Sequence, residues 1–362
     1  QARMIFSPLA TGFAVRSPPA AFAHMSFHAA IDARGGAVRM QASDGGPVHV
    51  RVVDGFLEGS ADDEGSALDL RSTFDERFAE PRQAHADRFC WDYWHVPGQY
   101  TLHRTQAASY FSEEQFAALT SALTEFGQQE LGCREISPPW LSFYVDGCEQ
   151  VLHADVPQGP FAYVLSLTPW EERTWRGGET TLLRPDVLDY WRGFDSSRGL
   201  EVGDLLMEVE PEFNRLLCFD ARVPHGVRRV DGVRDPRAAR LVLHGWFTEP
   251  VPHFEGGLDE AAVEEGLAPA VTALMEAISP PCVVGLLAVR LEVSAEGKVT
   301  ETIVLSDTLV VDPSQQEEAE QCRDGDDERA ALLAEVEEKL GAATFAPCAA
   351  GPTTVTLPLI FD

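Results

Sequence analysis

Between positions 140 and 247 the chain reads as short strands broken by turns. They are WLSFYVDG (140–147), FAYVLSLTPW (161–170), GGETTLL (177–183), LEVGDLLMEV (200–209), FNRLLCFDA (213–221), HGVRRV (225–230) and RLVLHGWF (240–247). Many short strands at this spacing predict a sandwich or small barrel with helices segregated upstream. The upstream signals fit that reading. VHVRVVDGFL (48–57) alternates like a strand and turns at Gly55. The aromatic stretch at 89–94 reads as core or lid packing. Ser112-Glu-Glu-Gln caps a predicted helix that carries Phe116, Leu119, Leu123 and Phe126 at helical spacing. Downstream, Pro250-Val-Pro252 is a linker signal. An amphipathic helix over 258–278 follows, then LLAVRLEVS, a turn at Gly297, VTETIVLS, an acidic loop over 312–327 read as mobile, a helix over 330–340 and TVTLPLIF. The expected organisation is a leader over 1–47, a first domain over 48–252 with its core at 140–247, and a small α+β domain over 257–362 that folds by itself.

Composition sets the outer bounds. The chain has 362 residues, 44% hydrophobic and 24% charged, which suits a soluble globular protein of two domains. No apolar run approaches the ~20 residues that span a bilayer. A net charge of -30 argues against binding a phosphate backbone, so no nucleic-acid partner is expected. The charge is uneven: residues 251–362 hold 22 acidic against five basic side chains, whereas residues 1–43 hold four arginines against Asp32 alone. That leader is rich in Ala, Ser, Pro and Arg, which resembles an organelle transit peptide; a disordered extension is the other reading, and neither belongs to the fold. Seven widely spaced cysteines without a C-x-x-C pair read as reduced thiols in an intracellular compartment.

Chemistry concentrates at Leu152-His153-Ala154-Asp155. On an extended chain, residues two apart point to one side, so His153 and Asp155 can reach one metal. A third ligand from a distant strand completes a two-histidine, one-carboxylate face, and His225 opens a late strand of the same barrel. Such a face leaves positions free for a co-substrate and oxygen. A bare H-x-D with a later histidine also fits a cupin-type barrel holding another metal. The order narrows this: H-x-D, G-G-E-T, P-x-F-N-x-L-x-x-F, P-H-x-V, then R-L-x-L-x-G-W-F.

In that order the stretch from about Trp140 to Phe247 resembles the catalytic domain of prolyl-4-hydroxylase-like iron(II)/2-oxoglutarate-dependent dioxygenases. The resemblance implies a mostly β protein with helical support, its catalytic domain a double-stranded β-helix (jelly roll). It implies iron(II) ligands at His153, Asp155 and His225, and Arg240 pairing with the distal carboxylate of 2-oxoglutarate. It further implies O2 as oxidant and ascorbate as a candidate accessory reductant. Tyr144, nine residues before His153, falls where related enzymes have a tyrosine facing the co-substrate; a core tyrosine is the other reading. Ser166 stands where the family often has a co-substrate tyrosine, so the distal carboxylate is expected to be held differently. Arg240 follows His225 by 15 residues, a wider gap than usual, and the insert VDGVRDPRA reads as an extended hairpin turn. Arg228, Arg229, Arg234 and Arg237 are rival anchors.

Strand periodicity puts Arg240, Val242, His244 and Trp246 on one face, with Leu241, Leu243 and Gly245 on the other. His244 is therefore expected to share the cavity with Arg240, either bonding the co-substrate or substrate and titrating near neutrality, or packed against a neighbouring strand. The tail LAVRLEVSxxGKVT, VLS, ATFAP and TVTLPLIF resembles the C-terminal domain of TonB-type proteins, which implies protein contact through a strand edge; a stabilising appendage is the plainer reading. Three functions are compatible with these residues: hydroxylation of a prolyl or other residue in a protein or peptide, hydroxylation of a free small molecule, or a non-catalytic barrel that scaffolds protein binding.

Overall fold

The computed structural model describes residues 2–3, 38–40, 49–79, 91–155, 158–184, 187, 190, 197, 199–278, 283–311 and 325–361. One large antiparallel sheet curls into a jelly roll. From one end it runs Leu206–Val209, Thr180–Leu183, His225–Val227, Glu149–His153, Tyr100–Gln106, Trp140–Tyr144, Arg240–Pro250, Phe161–Ser166, Arg215–Asp220, Val50–Asp54 and Val38–Met40. Asp92–Val96 joins it beside Tyr100–Gln106, and Cys133–Ile136 joins beside Arg240–Pro250.

The alternation of Arg240–Pro250 orders both sides of this sheet. Leu241, Leu243 and Phe247 face outward into a core shared with Leu70 and Phe74 of helix Ala67–Ala79 and with Leu119, Leu123 and Phe126 of helix Glu113–Phe126. Val242 turns inward to a separate cluster with Leu102, Tyr144, Trp170 and Trp175. The helix at Glu113 starts as its sequence predicts, because Ser112 and Gln115 form a reciprocal capping box. Of the aromatic stretch at 89–94, Trp91 packs on Tyr110 and Phe143, while residues 89–90 lie outside the described ones.

The insert before Arg240 is more than a surface turn. Val230 and Val233 are buried with Trp175, whose indole N–H donates to the Ala238 carbonyl at 2.6 Å. Gly177 and Gly178 both have positive φ; a Cβ on Gly177 would stand 1.7 Å from the Arg229 carbonyl oxygen. Only glycine lets the GGET turn close on this insert.

The tail has its own sheet, in the order Val299–Asp307, Val283–Val293, Thr353–Phe361, with His253–Gly256 on the outer edge of Thr353–Phe361. Helices Glu260–Ala277 and Gly325–Gly341 pack on it over a core that includes Leu267, Leu291, Val336 and Leu357. Strand His253–Gly256, just ahead of residue 257, joins this sheet. The unit is not packed by itself alone. Leu286, Ala288 and Leu305 belong to the same cluster as Leu123, Phe126 and Phe247. Most of the leader and of the 312–327 loop lies outside the described residues. Two leader pieces nonetheless enter sheets, Ala2–Arg3 against Phe361 and Ile360, and Val38–Met40 against Val50–Asp54. An edge strand offers unpaired backbone groups to any extended chain, whatever its side chains.

A buried ionic node ties the two units. Glu130 accepts from Arg51 at 3.0 Å and from Arg290 at 3.1 Å, while Arg51 also donates to the Leu305 carbonyl. Glu130→Ala leaves two guanidiniums without their carboxylate and should cost ~3–5 kcal/mol in urea unfolding. Glu338→Ala, on an exposed Lys339 pair, is the matched control and should change nothing measurable. A loss below ~1 kcal/mol at Glu130 would mean that the apolar contacts alone hold the units together.

Candidate metal centre and its cavity

His153 and His225 are directly paired residues on the antiparallel strands Glu149–His153 and His225–Val227, so their rings meet on one face, with centroids 4.7 Å apart. Asp155 lies just past the end of the first strand. Its Oδ1 is 3.7 Å from His153 Nε2 and its Oδ2 is 3.6 Å from His225 Nε2. One donor atom from each of the three residues lies within 4.8 Å of the others. Each imidazole Nδ1 contacts the carbonyl two residues back, Val151 at 2.8 Å and Val223 at 2.9 Å. Assigned from these bonds, Nδ1 carries the proton and donates it, which leaves the Nε2 lone pair aimed at Asp155. Burial lowers the His225 pKa, and His153 beside it adds to this while Asp155 opposes. Among the described residues no Lys or Arg pairs with Asp155. Two imidazole lone pairs and a carboxylate converging without a protein cation make a donor set that fits a divalent metal.

The strand Arg240–Pro250 supplies the opposite wall. Trp246 donates its indole N–H to Asp155 Oδ2 at 3.2 Å. Arg240 is 1% exposed, donates through Nη2 to Thr180 Oγ1 at 3.1 Å, and lies 4.5 Å over the Tyr144 ring. Its Nε and Nη1 are buried and have no hydrogen-bond partner among the described residues. Burial lowers its pKa, opposed by Tyr144 and Glu179. Unpartnered buried donors on a guanidinium are costly unless an anion meets them. The rival arginines are exposed. Arg228 pairs with Glu208, Arg229 with Asp231 and Arg237 with Asp235.

Tyr144 faces this cavity with its ring, while its hydroxyl donates to Gln150 Oε1 at 3.0 Å. Burial pushes that hydroxyl's pKa up, against the pull of Arg240. Ser166 is turned to other work, donating to the Pro211 carbonyl at 2.7 Å. His244 shares the Arg240 face and bonds Ser142 Oγ through Nε2 at 2.8 Å. Its expected titration near neutrality does not hold. Burial, then the charges of Arg240 and Arg104, push its pKa down to about 3, so the ring is neutral at physiological pH. Trp246, Thr180 and Gln150 were not singled out in the sequence. Trp246 had a signal there in its place on the Arg240 face and Thr180 in its place in G-G-E-T, whereas Gln150 had none.

The His244 pKa has a testable sign. The ring titrates at 6.5 when unfolded and near 3 when folded. Its contribution to stability is therefore complete above about pH 6.5 and lost as pH falls toward 3. Thermal melts at about pH 7.5 and about pH 5 should show a smaller drop in Tm for His244→Gln than for the unaltered chain. Equal drops would place the acid sensitivity elsewhere.

The family model described as the 2OG-Fe(II) oxygenase superfamily matches residues 139–248. No curated protein matches the chain. Among solved structures, a Pseudomonas putida prolyl-4-hydroxylase is similar at 17% identity and TM-score 0.38, covering 56% of this chain and 92% of its own. A Trichoplax adhaerens prolyl hydroxylase, in complex with a hypoxia inducible factor oxygen degradation domain peptide fragment, is 13% identical at TM-score 0.36, covering 55% and 83%. A non-haem alpha-ketoglutarate-dependent epimerase from nogalamycin biosynthesis is 13% identical at TM-score 0.35, covering 54% and 76%. The stretch that carries His153, Asp155, His225 and Arg240 is a 2OG-Fe(II) oxygenase domain.

Proposed function

We propose that the chain is an iron(II)- and 2-oxoglutarate-dependent dioxygenase that hydroxylates an unactivated carbon of a prolyl or other residue in a protein or peptide. The observation that carries the co-substrate is Arg240, buried with free donors on the wall facing the His153, Asp155 and His225 cluster. Arg240 bonds Thr180, and Leu182, two residues along that strand, pairs with His225. Two strand steps are ~6.6 Å. A five-carbon dicarboxylate would span such a gap, and Arg240 would hold its far carboxylate.

Each residue then has a defined task. His153 and His225, locked through Nδ1, present Nε2 to the ion, and Trp246 orients Asp155. Arg240 grips the far carboxylate through charge-assisted bonds, held in place by Thr180 and by the Tyr144 ring. Leu102, Trp175 and Val242 line the same side with apolar surface and keep water out. Bound iron(II) supplies oxygen activation coupled to decarboxylation of 2-oxoglutarate, with succinate and CO2 as products. For the tail we infer a TonB-C-like protein-contact unit, on its strand–strand–helix–strand order. Val299–Asp307 supports this, since among the described residues its outer edge carries no paired strand.

Anaerobic protein given iron(II) and 2-oxoglutarate should show a weak visible charge-transfer band and form succinate slowly in air. Asp155→Ala should remove both, because it deletes the anionic ligand. Arg240→Ala should keep iron but raise the 2-oxoglutarate requirement at least about thirty-fold, equivalent to ~2 kcal/mol. Well-folded protein with neither band nor succinate overturns the reading, and an unchanged 2-oxoglutarate affinity in the arginine variant moves the anchor elsewhere.

A further inference from the structure

A second guanidinium borders the same cavity. Arg104 lies on Tyr100–Gln106, paired with Ser142, whose hydroxyl holds His244. Two indoles reach it from the strands on either side, Trp94 at 3.0 Å and Trp140 at 4.1 Å from ring centroid to Cζ. Its Nε is buried without a partner, and among the described residues no carboxylate or carbonyl bonds the rest of the group. Four other arginines of this unit each meet a carboxylate: Arg51 meets Glu130, Arg71 Asp75, Arg215 Asp54 and Arg222 Asp220. Tyr100, two same-face steps from Arg104 by way of Leu102, connects this place to the metal centre. Its ring is 6.0 Å from Trp94 and 6.4 Å from His153.

We propose that Arg104 is a specificity-determining residue that binds a carboxylate carried by the primary substrate, so that this chain hydroxylates acidic molecules or acidic residues. The inference rests on Arg240 being the co-substrate anchor, which leaves Arg104 for the second ligand. Rings stacked on a guanidinium cover its faces and leave donors only in its plane, the geometry that a carboxylate meets with two parallel hydrogen bonds. Stacking also fixes the long side chain beforehand, so less conformational freedom is lost on binding. Burial lowers the Arg104 pKa, with Asp92 across the hairpin opposing, and an incoming anion relieves that penalty. The chain's net charge of -30 repels anions at long range. Recognition therefore acts on a group already delivered into the cavity.

The test reads the indoles themselves. N-acetylglycine and its neutral amide, N-acetylglycinamide, are titrated against the full chain by tryptophan fluorescence, with and without saturating 2-oxoglutarate. The acid should bind at least about tenfold more tightly than the amide, with 2-oxoglutarate present. That preference should vanish in Arg104→Gln and persist in part in Arg104→Lys, which keeps the charge without the planar fork. Equal affinity for acid and amide in the unaltered chain, or a preference intact in Arg104→Gln, shows that the Trp–Arg stack serves packing alone and overturns the proposal. A preference abolished by 2-oxoglutarate puts the acid at Arg240 and overturns it as well. Calorimetry of 2-oxoglutarate binding to the unaltered chain and to Arg240→Ala decides the anchor separately.

Discussion

The two-residue period of Arg240–Pro250 is the constraint on which both sides of the barrel depend. The strand pairs with Trp140–Tyr144 along one edge and with Phe161–Ser166 along the other. Its odd-numbered residues Leu241, Leu243 and Phe247 close the outer core, while Arg240, Val242, His244 and Trp246 furnish the cavity. A slip of one residue would drive a guanidinium into the packed helices and leave leucines beside the carboxylate of Asp155. Burying that charge unpaired costs several kcal/mol, so the register is strongly specified. The position of the site relative to the core follows from this single alternation.

Inside the barrel, charged side chains meet rings and imidazoles rather than counter-ions. Asp155 meets two imidazoles rather than a Lys or Arg, while Arg240 and Arg104 sit against aromatic rings rather than carboxylates. Cation–π contacts of this kind stabilise a desolvated guanidinium by ~1–2 kcal/mol, less than a buried ion pair with its hydrogen bonds. They hold the groups in place and leave their donors open. His244 fits the same pattern, since a proton on it would stand near two guanidiniums, and it serves instead as a neutral partner for Ser142.

The tail is bound to this barrel from outside. Its sheet has a core of its own, yet Leu286, Ala288 and Leu305 join the cluster behind the Arg240 strand, and strands Val299–Asp307 and Thr353–Phe361 contact the turn at 127–131. Glu130, in the turn after helix Glu113–Phe126, gathers one arginine from each unit. The outer side of the barrel is thereby covered in part and braced.

Local sequence determined a good deal. Period-two alternation around Arg240, the H-x-D pair, the Ser112 capping box and the glycine turn at 177–178 all act within a few residues, and each is legible because its physics is local. His153 and Asp155 could be read as one site from spacing alone, and the match of residues 139–248 to the 2OG-Fe(II) oxygenase superfamily agrees with the motif order found in the chain. Tertiary structure decided what depends on register between distant strands. Thr180 meets Arg240, Trp246 meets Asp155 and Ser142 meets His244 across gaps of 60, 91 and 102 residues. The Arg104 stack is legible only once Tyr100–Gln106 is known to lie between two tryptophan-bearing strands. The choice between a titrating and a packed His244 depended on tertiary structure for the same reason. Its pKa shift comes from burial and from charges on neighbouring positions of a closed barrel, and no window of sequence contains them.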